Sequence, residues 1–322
     1  MNNKEYNKIA PVALFVYNRL KNTKEVLEAL QKNYLAKKTD LFIFSDFYKT
    51  ESHKKDVLNV RKYIKNIRGF KTVNIIERRE NYYIEKNIIE GVTEIVNRFG
   101  KIIVLEDDGV TARNFLTFMN GALDFYEKED QIMHVATFTF IKMPNEYKKT
   151  FFWRYTENTG GGWGTWKNSW DKFEQFFSEE KALSALSLNQ KNRIQLNGSF
   201  KCLTTLKLNP IPWDICWYIA LIRNNGLSVN SPHALIKNNG LFNGTHFTII
   251  NRLLGKSPFE VELDKNEEII FDDHIVENKN AIKLLKVFYE KMEKRKRAII
   301  LNKFIRILVV LKITKLLKKF FK

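Results

Sequence analysis

The sequence predicts an α/β fold with a largely parallel central sheet covered on both faces, and three observations carry that expectation. Strand-like apolar runs alternate with helical periodicities through the first 140 residues. The chain has 322 residues, 44% of them hydrophobic, enough to bury a substantial core. One apolar run, Ile102-Ile103-Val104-Leu105, ends abruptly in three carboxylates, Glu106-Asp107-Asp108.

In chain order, Pro11 to Tyr17 reads as a strand, Thr23 to Tyr34 as a helix, and Leu41 to Phe44 as a short strand closed by Ser45-Asp46. Lys54 to Ile67 reads as helix, Thr72 to Ile76 as strand, and Ile84 to Phe99 as helix. Lys101 to Leu105 is a strand, Phe115 to Tyr126 a helix and Ile132 to Ala136 a strand. Such alternation brings the acids at Asp46 and Glu106 to one edge of the sheet. Beyond residue 145 the pattern changes. All six tryptophans fall between Trp153 and Trp217, beside Gly160, Gly161, Gly162 and Gly164, and regular alternation returns only with a helical stretch from Asn280 to Met292. This half is expected to be loop-rich, and three segments follow: 1–145, 146–275 and a helical tail, 276–322.

The net charge of +18 invites a nucleic-acid reading until it is located. Residues 291–322 hold twelve Lys or Arg against one acid, Glu293, so about +11 of the total lies in the tail. No nucleic-acid-binding motif is present, and nucleic acid is not expected as a partner. From Val309, apolar Val310, Ile313, Leu316, Leu317, Phe320 and Phe321 fall at helical spacing opposite Lys312, Lys315, Lys318, Lys319 and Lys322. A basic amphipathic helix of this kind suits an anionic membrane surface, and its charges are too frequent for a membrane span. Packing of its apolar stripe on protein is the rival reading. Cys202 and Cys216 lack metal-ligand or disulfide spacing, and the first eight residues lack an apolar signal core. The expected location is cytoplasmic, peripheral at the inner face of the cell membrane.

Three acids at the end of a buried strand call for a counter-charge. At the carboxyl edge of an α/β sheet, a divalent cation carrying a phosphorylated substrate supplies it, and Mn²⁺ or Mg²⁺ takes oxygen ligands with few of them from protein. Capping of the following helix is the alternative. The tryptophans suggest faces for a sugar, with Trp163 and Trp166 favoured because the flanking glycines let backbone approach a ligand; core packing competes. In Pro212-Trp213-Asp214-Ile215-Cys216-Trp217, one acid stands in an apolar setting that suits a general base, and an N-cap role is the alternative. His246, in the turn Asn243-Gly244-Thr245-His246, is a candidate metal ligand.

The ordered set Tyr17-Asn18-Arg19, Ser45-Asp46, Arg78-x-x-Asn81 and Asn87-x-x-Glu90-Gly91, then Glu106-Asp107-Asp108, resembles inverting nucleotide-sugar glycosyltransferases of the GT-A fold. With Gly161-Gly162-Trp163-Gly164-Thr165-Trp166, Trp213-Asp214-x-x-Trp217 and Gly244-Thr245-His246, it is similar to a bacterial, family 2-like group distantly related to N-acetylglucosaminyltransferase I. The resemblance covers roughly residues 9 to 250. It implies a Rossmann-like GT-A sheet and a nucleotide-sugar donor, first of all a UDP-sugar, contacted by Asn18, Arg19, Ser45, Asp46, Arg78, Asn87 and Trp163. Glu106 and Asp107 then face the ribose and donor sugar, and Asp108 binds the metal. Asp214 takes the place of the catalytic base, and His246 reaches the diphosphate or the metal. Two departures stand out: Tyr83 replaces a customary glycine, and Thr137-Phe138-Thr139-Phe140 replaces a small Gly-Tyr.

The expected activity is metal-dependent transfer of a hexose-type sugar to a hydroxyl of an envelope or lipid-linked glycan. A nucleotidyltransferase is the competing enzyme, but Asn18-Arg19-Leu20-Lys21 lacks the glycine-rich loop that grips a triphosphate. The non-enzyme rival is a carbohydrate-binding protein.

Overall fold

The computed structural model describes residues 8–156, 161–200, 202–240, 257, 259–265, 268–295 and 297–298. His246 and the amphipathic stretch from Val309 lie outside the described residues. No helix among the described residues is long and apolar enough to cross a membrane.

The first half follows the expected alternation. Strand β1 (Val12–Val16) leads to α1 (Leu20–Gln31), β2 (Asp40–Ser45), α2 (Glu51–Ile64), β3 (Thr72–Glu77), α3 (Tyr83–Phe99) and β4 (Lys101–Glu106). A short β5 (Gly109–Thr111), α4 (Phe115–Phe125) and β6 (Ile132–Ala136) complete it. Every residue of β1 and all but the last of β4 are buried, as a parallel sheet covered on both faces requires. The helices are amphipathic: α1 buries Thr23, Val26, Leu27 and Leu30, and α3 buries Ile88, Val92, Ile95 and Val96, spacings that lay one face on the sheet.

The second half is more regular than its sequence suggests. It supplies β7 (Phe151–Trp153), β8 (Gly161–Trp166), short helices α5 (Lys167–Trp170), α6 (Glu179–Ser184) and α7 (Leu188–Ile194), then α8 (Trp213–Arg223), β9 (Leu227–Asn230) and β10 (Ile236–Asn238). Strands from both sides of residue 145 share one eight-stranded sheet, in the order β3-β2-β1-β4-β8-β6-β9-β7, while β10 pairs antiparallel with β5. A further helix spans residues 279–295, and its Leu285 and Tyr289 are buried.

Two expectations need correction here. The glycine-tryptophan segment is no loop: it forms β8, antiparallel between β4 and β6 in the middle of the sheet. Its glycines serve strand approach rather than ligand approach. A Cβ on Gly161 would lie 2.5 Å from the Leu105 Cα, and one on Gly164 would lie 2.9 Å from the Ile102 carbonyl oxygen. Secondly, all six tryptophans are buried, Trp163 completely. Trp163 stacks on His134 at 5.5 Å and on Trp213 at 5.4 Å, and it packs on Trp170 and Trp217, so both faces lie inside an aromatic core with none presented to a sugar. Trp166 is 5% exposed and donates its indole N–H to the Leu123 carbonyl at 3.0 Å.

Register sets where the site lies. Val16 stands opposite Ser45, Ser45 opposite Glu77, and Phe15 opposite Glu106, so four parallel strands end level with one another. The residues that follow each strand therefore emerge along a single edge.

Candidate active site

Strands β1 and β4 are neighbours, yet the chain leaves β1 toward β2 on one side and returns from β3 to β4 on the other. That divergence is a topological switch point, where open α/β sheets leave a crevice beyond their strand ends. Arg19 enters it as the residue before α1, and Asp107 and Asp108 enter from the end of β4.

These side chains form an ion-paired cluster. The Arg19 guanidinium donates to both oxygens of Asp107, with Nε at 3.3 Å from Oδ2 and Nη2 close to Oδ1, and Nη2 also donates to Asp108 Oδ2 at 3.1 Å. Burial works against the charge on Arg19, but Asp107 and Asp108 outweigh it and hold its pKa above the ordinary value. Burial pushes the Asp107 carboxyl up to about 6 against the pull of Arg19. Glu106 is pushed well above the usual carboxylate range by burial, then by Asp108 and Asp107, with Asp214 adding to the effect. One guanidinium thus faces three clustered acids.

Asp108 retains an unused acceptor. It is 8% exposed, and its Oδ1 is buried without a hydrogen-bond partner, an expensive state for a carboxylate oxygen. Gly240 packs against the same group: a Cβ there would lie 2.6 Å from Asp108 Oδ2 and 2.9 Å from Arg19 Nη1. The Asn239 N–H donates to the Asp108 carbonyl at 2.9 Å, which ties the end of β10 to the acids. A hard cation with few protein ligands fits Asp108 Oδ1, although no group of three metal-ligating side chains converges among the described residues. The acids do not cap α4, whose N-cap is Asn114, beyond β5.

A second cluster forms around Asp46. Its Oδ1 accepts the Phe47 and Tyr82 N–H groups, each at 2.8 Å, and its Oδ2 accepts the Asn81 side-chain amide at 3.0 Å. Burial raises the Asp46 pKa, and these N–H bonds, that of Tyr83 and the charge of Arg78 oppose it. Tyr82 is right-handed (φ −90°, ψ −10°) and Tyr83 left-handed (φ 56°), a pairing that turns successive N–H groups toward one anion. For a non-glycine residue the left-handed conformation costs about 1–2 kcal/mol. Tyr83 is 54% exposed, and Lys49 Nζ stands 4.9 Å from its ring centroid, a contact worth about 0.5–1 kcal/mol at such a site.

Arg78 packs over the Phe44 and Tyr82 rings and donates to Asn87 Oδ1 at 3.0 Å, while its Nη2 is buried without a partner. Asn87, 4% exposed, therefore positions Arg78 and offers little surface of its own. Ser45 is fully buried and accepts from Arg61 Nε at 3.3 Å, so it too belongs to the supporting layer. Asn18 is partly exposed beside Arg19 on the same edge.

Arg61 was invisible in the sequence. Buried on α2, it donates from Nη2 to the carbonyls of Ser45, Asp46 and Arg78 at 3.3, 3.2 and 2.8 Å, binding the ends of β2 and β3 together. A single arginine on a polar-looking helix carries no local signal of that role. Asp214 stands in the first turn of α8, whose N-cap is Pro212; its Oδ1 accepts the Ile215 N–H at 2.9 Å, and its charge reaches Glu106. The structure thus brings Arg19, Asp107, Asp108, Glu106, Asp46, Arg78 and Asp214 to one region and sets Trp163 inside the core.

No known family profile matches the chain, and no curated protein matches it in sequence. Among solved structures it is similar to S. aureus TarS, at 13% identity and a TM-score of 0.30 over 42% of this chain and 22% of that one. Against TarS 1-349 the values are 11% and 0.35 over 70% and 59% of the two chains. Against the mannosyltransferase PcManGT from Pyrobaculum calidifontis, in complex with GDP-Man and Mn²⁺, they are 10% and 0.35 over 68% and 73%. The chain therefore spans about a fifth of the first structure and less than two thirds of the second. At these values the likeness reaches no further than general architecture.

Proposed function

We propose that this chain is a glycosyltransferase that moves a sugar from a nucleotide-diphosphate donor to an acceptor hydroxyl with inversion. The observation that carries the reading is the pairing of Arg19 with Asp107 and Asp108 at the switch point, with Asp108 Oδ1 buried and unpartnered. Asp108 would hold a divalent cation, Mn²⁺ or Mg²⁺, which would neutralise charge on the departing diphosphate. The remaining work falls to the protein's own groups. Asp46, with Asn18 beside it on the sheet edge, holds the nucleoside end, and the unsatisfied Nη2 of Arg78 is a donor for an anionic or carbonyl oxygen of the donor. Glu106 and Asp107 face the ribose and sugar hydroxyls. Asp214, whose charge reaches Glu106, accepts the proton of the attacking hydroxyl, whose approach from the face opposite the nucleotide inverts the anomeric centre.

A UDP-sugar is the first donor to test, and an envelope or lipid-linked glycan the first acceptor. The basic amphipathic sequence after residue 308 supports work at an anionic membrane surface on the cytoplasmic side. The distant likeness to N-acetylglucosaminyltransferase I rests on sequence motifs alone. The experiment is release of nucleoside diphosphate from a panel of nucleotide sugars, with and without EDTA, by the full chain and by Asp214→Asn. Turnover that needs the metal and is lost in Asp214→Asn, with nucleotide binding retained, is the expected result. Pyrophosphate release, or sugar binding that needs neither nucleotide nor metal, overturns the proposal.

A further inference from the structure

The two ends of the parallel strands carry opposite charge. The carboxyl ends of β1 to β4 gather acids, whereas their amino ends surround an open cavity of about 620 Å³ lined by Lys8, Lys37, Lys38, Lys71, Arg98 and a single acid, Asp40. A cavity of that volume is of the size that holds small ligands. The six residues of β2 set the two ends roughly 17 Å apart, so a ligand here would not touch the crevice.

Asp40 does not balance this set. Its Oδ2 accepts from Lys71 Nζ at 2.9 Å and its Oδ1 from the Thr72 hydroxyl at 2.8 Å, so its charge is matched by Lys71 alone. Of the five cations, only Lys71 has an ion-pair partner among the described residues. The C-terminus of α3 accounts for part of the remainder: Lys8 donates to the Phe99 carbonyl at 3.4 Å, and Arg98 stands in the last turn. A helix end supplies only about half a negative charge, which leaves most of the positive charge on Lys8, Lys37, Lys38 and Arg98 unmatched. Arg98 is also held over the Phe42 and Phe99 rings, 5.7 and 4.9 Å from their centroids, which keeps its guanidinium at the cavity. Like charges gathered at one concave surface repel one another and focus a positive field, and a multiply charged anion relieves both.

We propose that this cavity is a binding site for an anion carrying clustered phosphate groups. Arg98 offers a planar fork to phosphate oxygens, and Lys8, Lys37 and Lys38 supply point charges around it. One phosphate group brings a charge of about −2 at most, so a ligand with two or more adjacent phosphates matches the four cations better than inorganic phosphate does. Such a site is independent of what the crevice binds.

The test is calorimetric titration of the full chain with tripolyphosphate and with inorganic phosphate, in metal-free buffer of low ionic strength. It is repeated on Lys38→Gln with Arg98→Gln, and on Lys37→Gln with Lys38→Gln, which leaves the Arg98 ring packing in place. Lys55→Gln with Lys207→Gln removes the same charge elsewhere on the surface. The native chain is expected to bind tripolyphosphate more tightly than phosphate, and its Tm should rise by about 4 °C at about one hundred times the Kd. Both cavity variants should bind tripolyphosphate about tenfold or more weakly, while the Lys55 and Lys207 variant keeps the native affinity. Co-sedimentation with phosphatidylglycerol vesicles then separates the sources: vesicle binding retained by the cavity variants assigns the site to a soluble ligand, and vesicle binding lost with tripolyphosphate binding assigns it to headgroups at a lipid surface. Native affinity in the cavity variants, an equal loss in the Lys55 and Lys207 variant, or no binding of tripolyphosphate by the native chain overturns the proposal.

Discussion

Replacing Arg19 by methionine keeps a side chain of similar reach and removes the guanidinium that Asp107 and Asp108 share. The two carboxylates are 4% and 8% exposed and would remain buried beside Glu106 without that counter-charge. Breaking a buried ion pair by deleting one partner costs about 3–5 kcal/mol. The Arg19 side chain is itself 28% exposed, so solvent screening favours the lower end, about 3 kcal/mol. For a chain of this size that corresponds to a fall of about 4 °C in Tm, measured by thermal unfolding in EDTA. Mn²⁺ adds a second discriminating measurement. A cation at about one hundred times its Kd stabilises by about 2.7 kcal/mol, and on the proposed binding at Asp108 it would share that side chain with a guanidinium in the native chain. Without Arg19 that competition vanishes, so Mn²⁺ should raise Tm more in the methionine variant than in the native chain, recovering much of the loss. Arg19→Lys keeps the charge but not the two-pronged geometry and should fall between them. Equal Tm values in EDTA would refute the argument that Arg19 is the counter-ion of the acids, and equal responses to Mn²⁺ would refute the proposed cation at Asp108.

Three further outcomes are expected. Gly161→Ala places a Cβ 2.5 Å from the Leu105 Cα and 2.6 Å from the Glu106 nitrogen at φ 82°, and should lose about 3 kcal/mol in urea unfolding together with nucleotide affinity; a loss under about 0.5 kcal/mol contradicts the described approach of β8 to β4. Cys202 and Cys216 are fully buried, and burial pushes both thiols up to about 12, so iodoacetamide near pH 8 should leave the folded chain unmodified and alkylate both after denaturation; mass spectrometry reads the difference. Asp46 has a raised pKa when folded, so the native state holds its proton more tightly than the unfolded chain, and the Asp46 contribution to stability falls as pH rises from the ordinary carboxylate value, about 4, through the folded pKa. Asp46→Asn removes that dependence while losing donor affinity, and its Tm relative to the native chain should therefore climb over this interval; a flat or falling difference contradicts the assigned shift.

The first half of the fold was legible because parallel strands buried on both faces leave uninterrupted apolar runs, and α1 and α3 print a single face at helical spacing. The β8 segment carried the opposite signal. Gly161-Gly162-Trp163-Gly164 is a poor strand former, and it becomes a central strand because missing side chains let it lie against β4, a fact stored in residues some sixty positions earlier. Its tryptophans read equally well as ligand faces or as core, since sequence reports the amount of aromatic surface and not its direction. Among the site residues, the acids at Glu106, Asp107 and Asp108 announced themselves by ending an apolar run. What satisfies them was hidden, because Arg19 is 88 positions from Asp107 and meets it only through the pairing of β1 with β4. Arg61 was more deeply hidden, since its partners are backbone carbonyls, which every residue type possesses. Tyr83 falls between these cases: its departure from glycine was visible in the sequence, while the left-handed backbone it adopts (φ 56°) was not, because backbone conformation at one position is set by the loop that carries it.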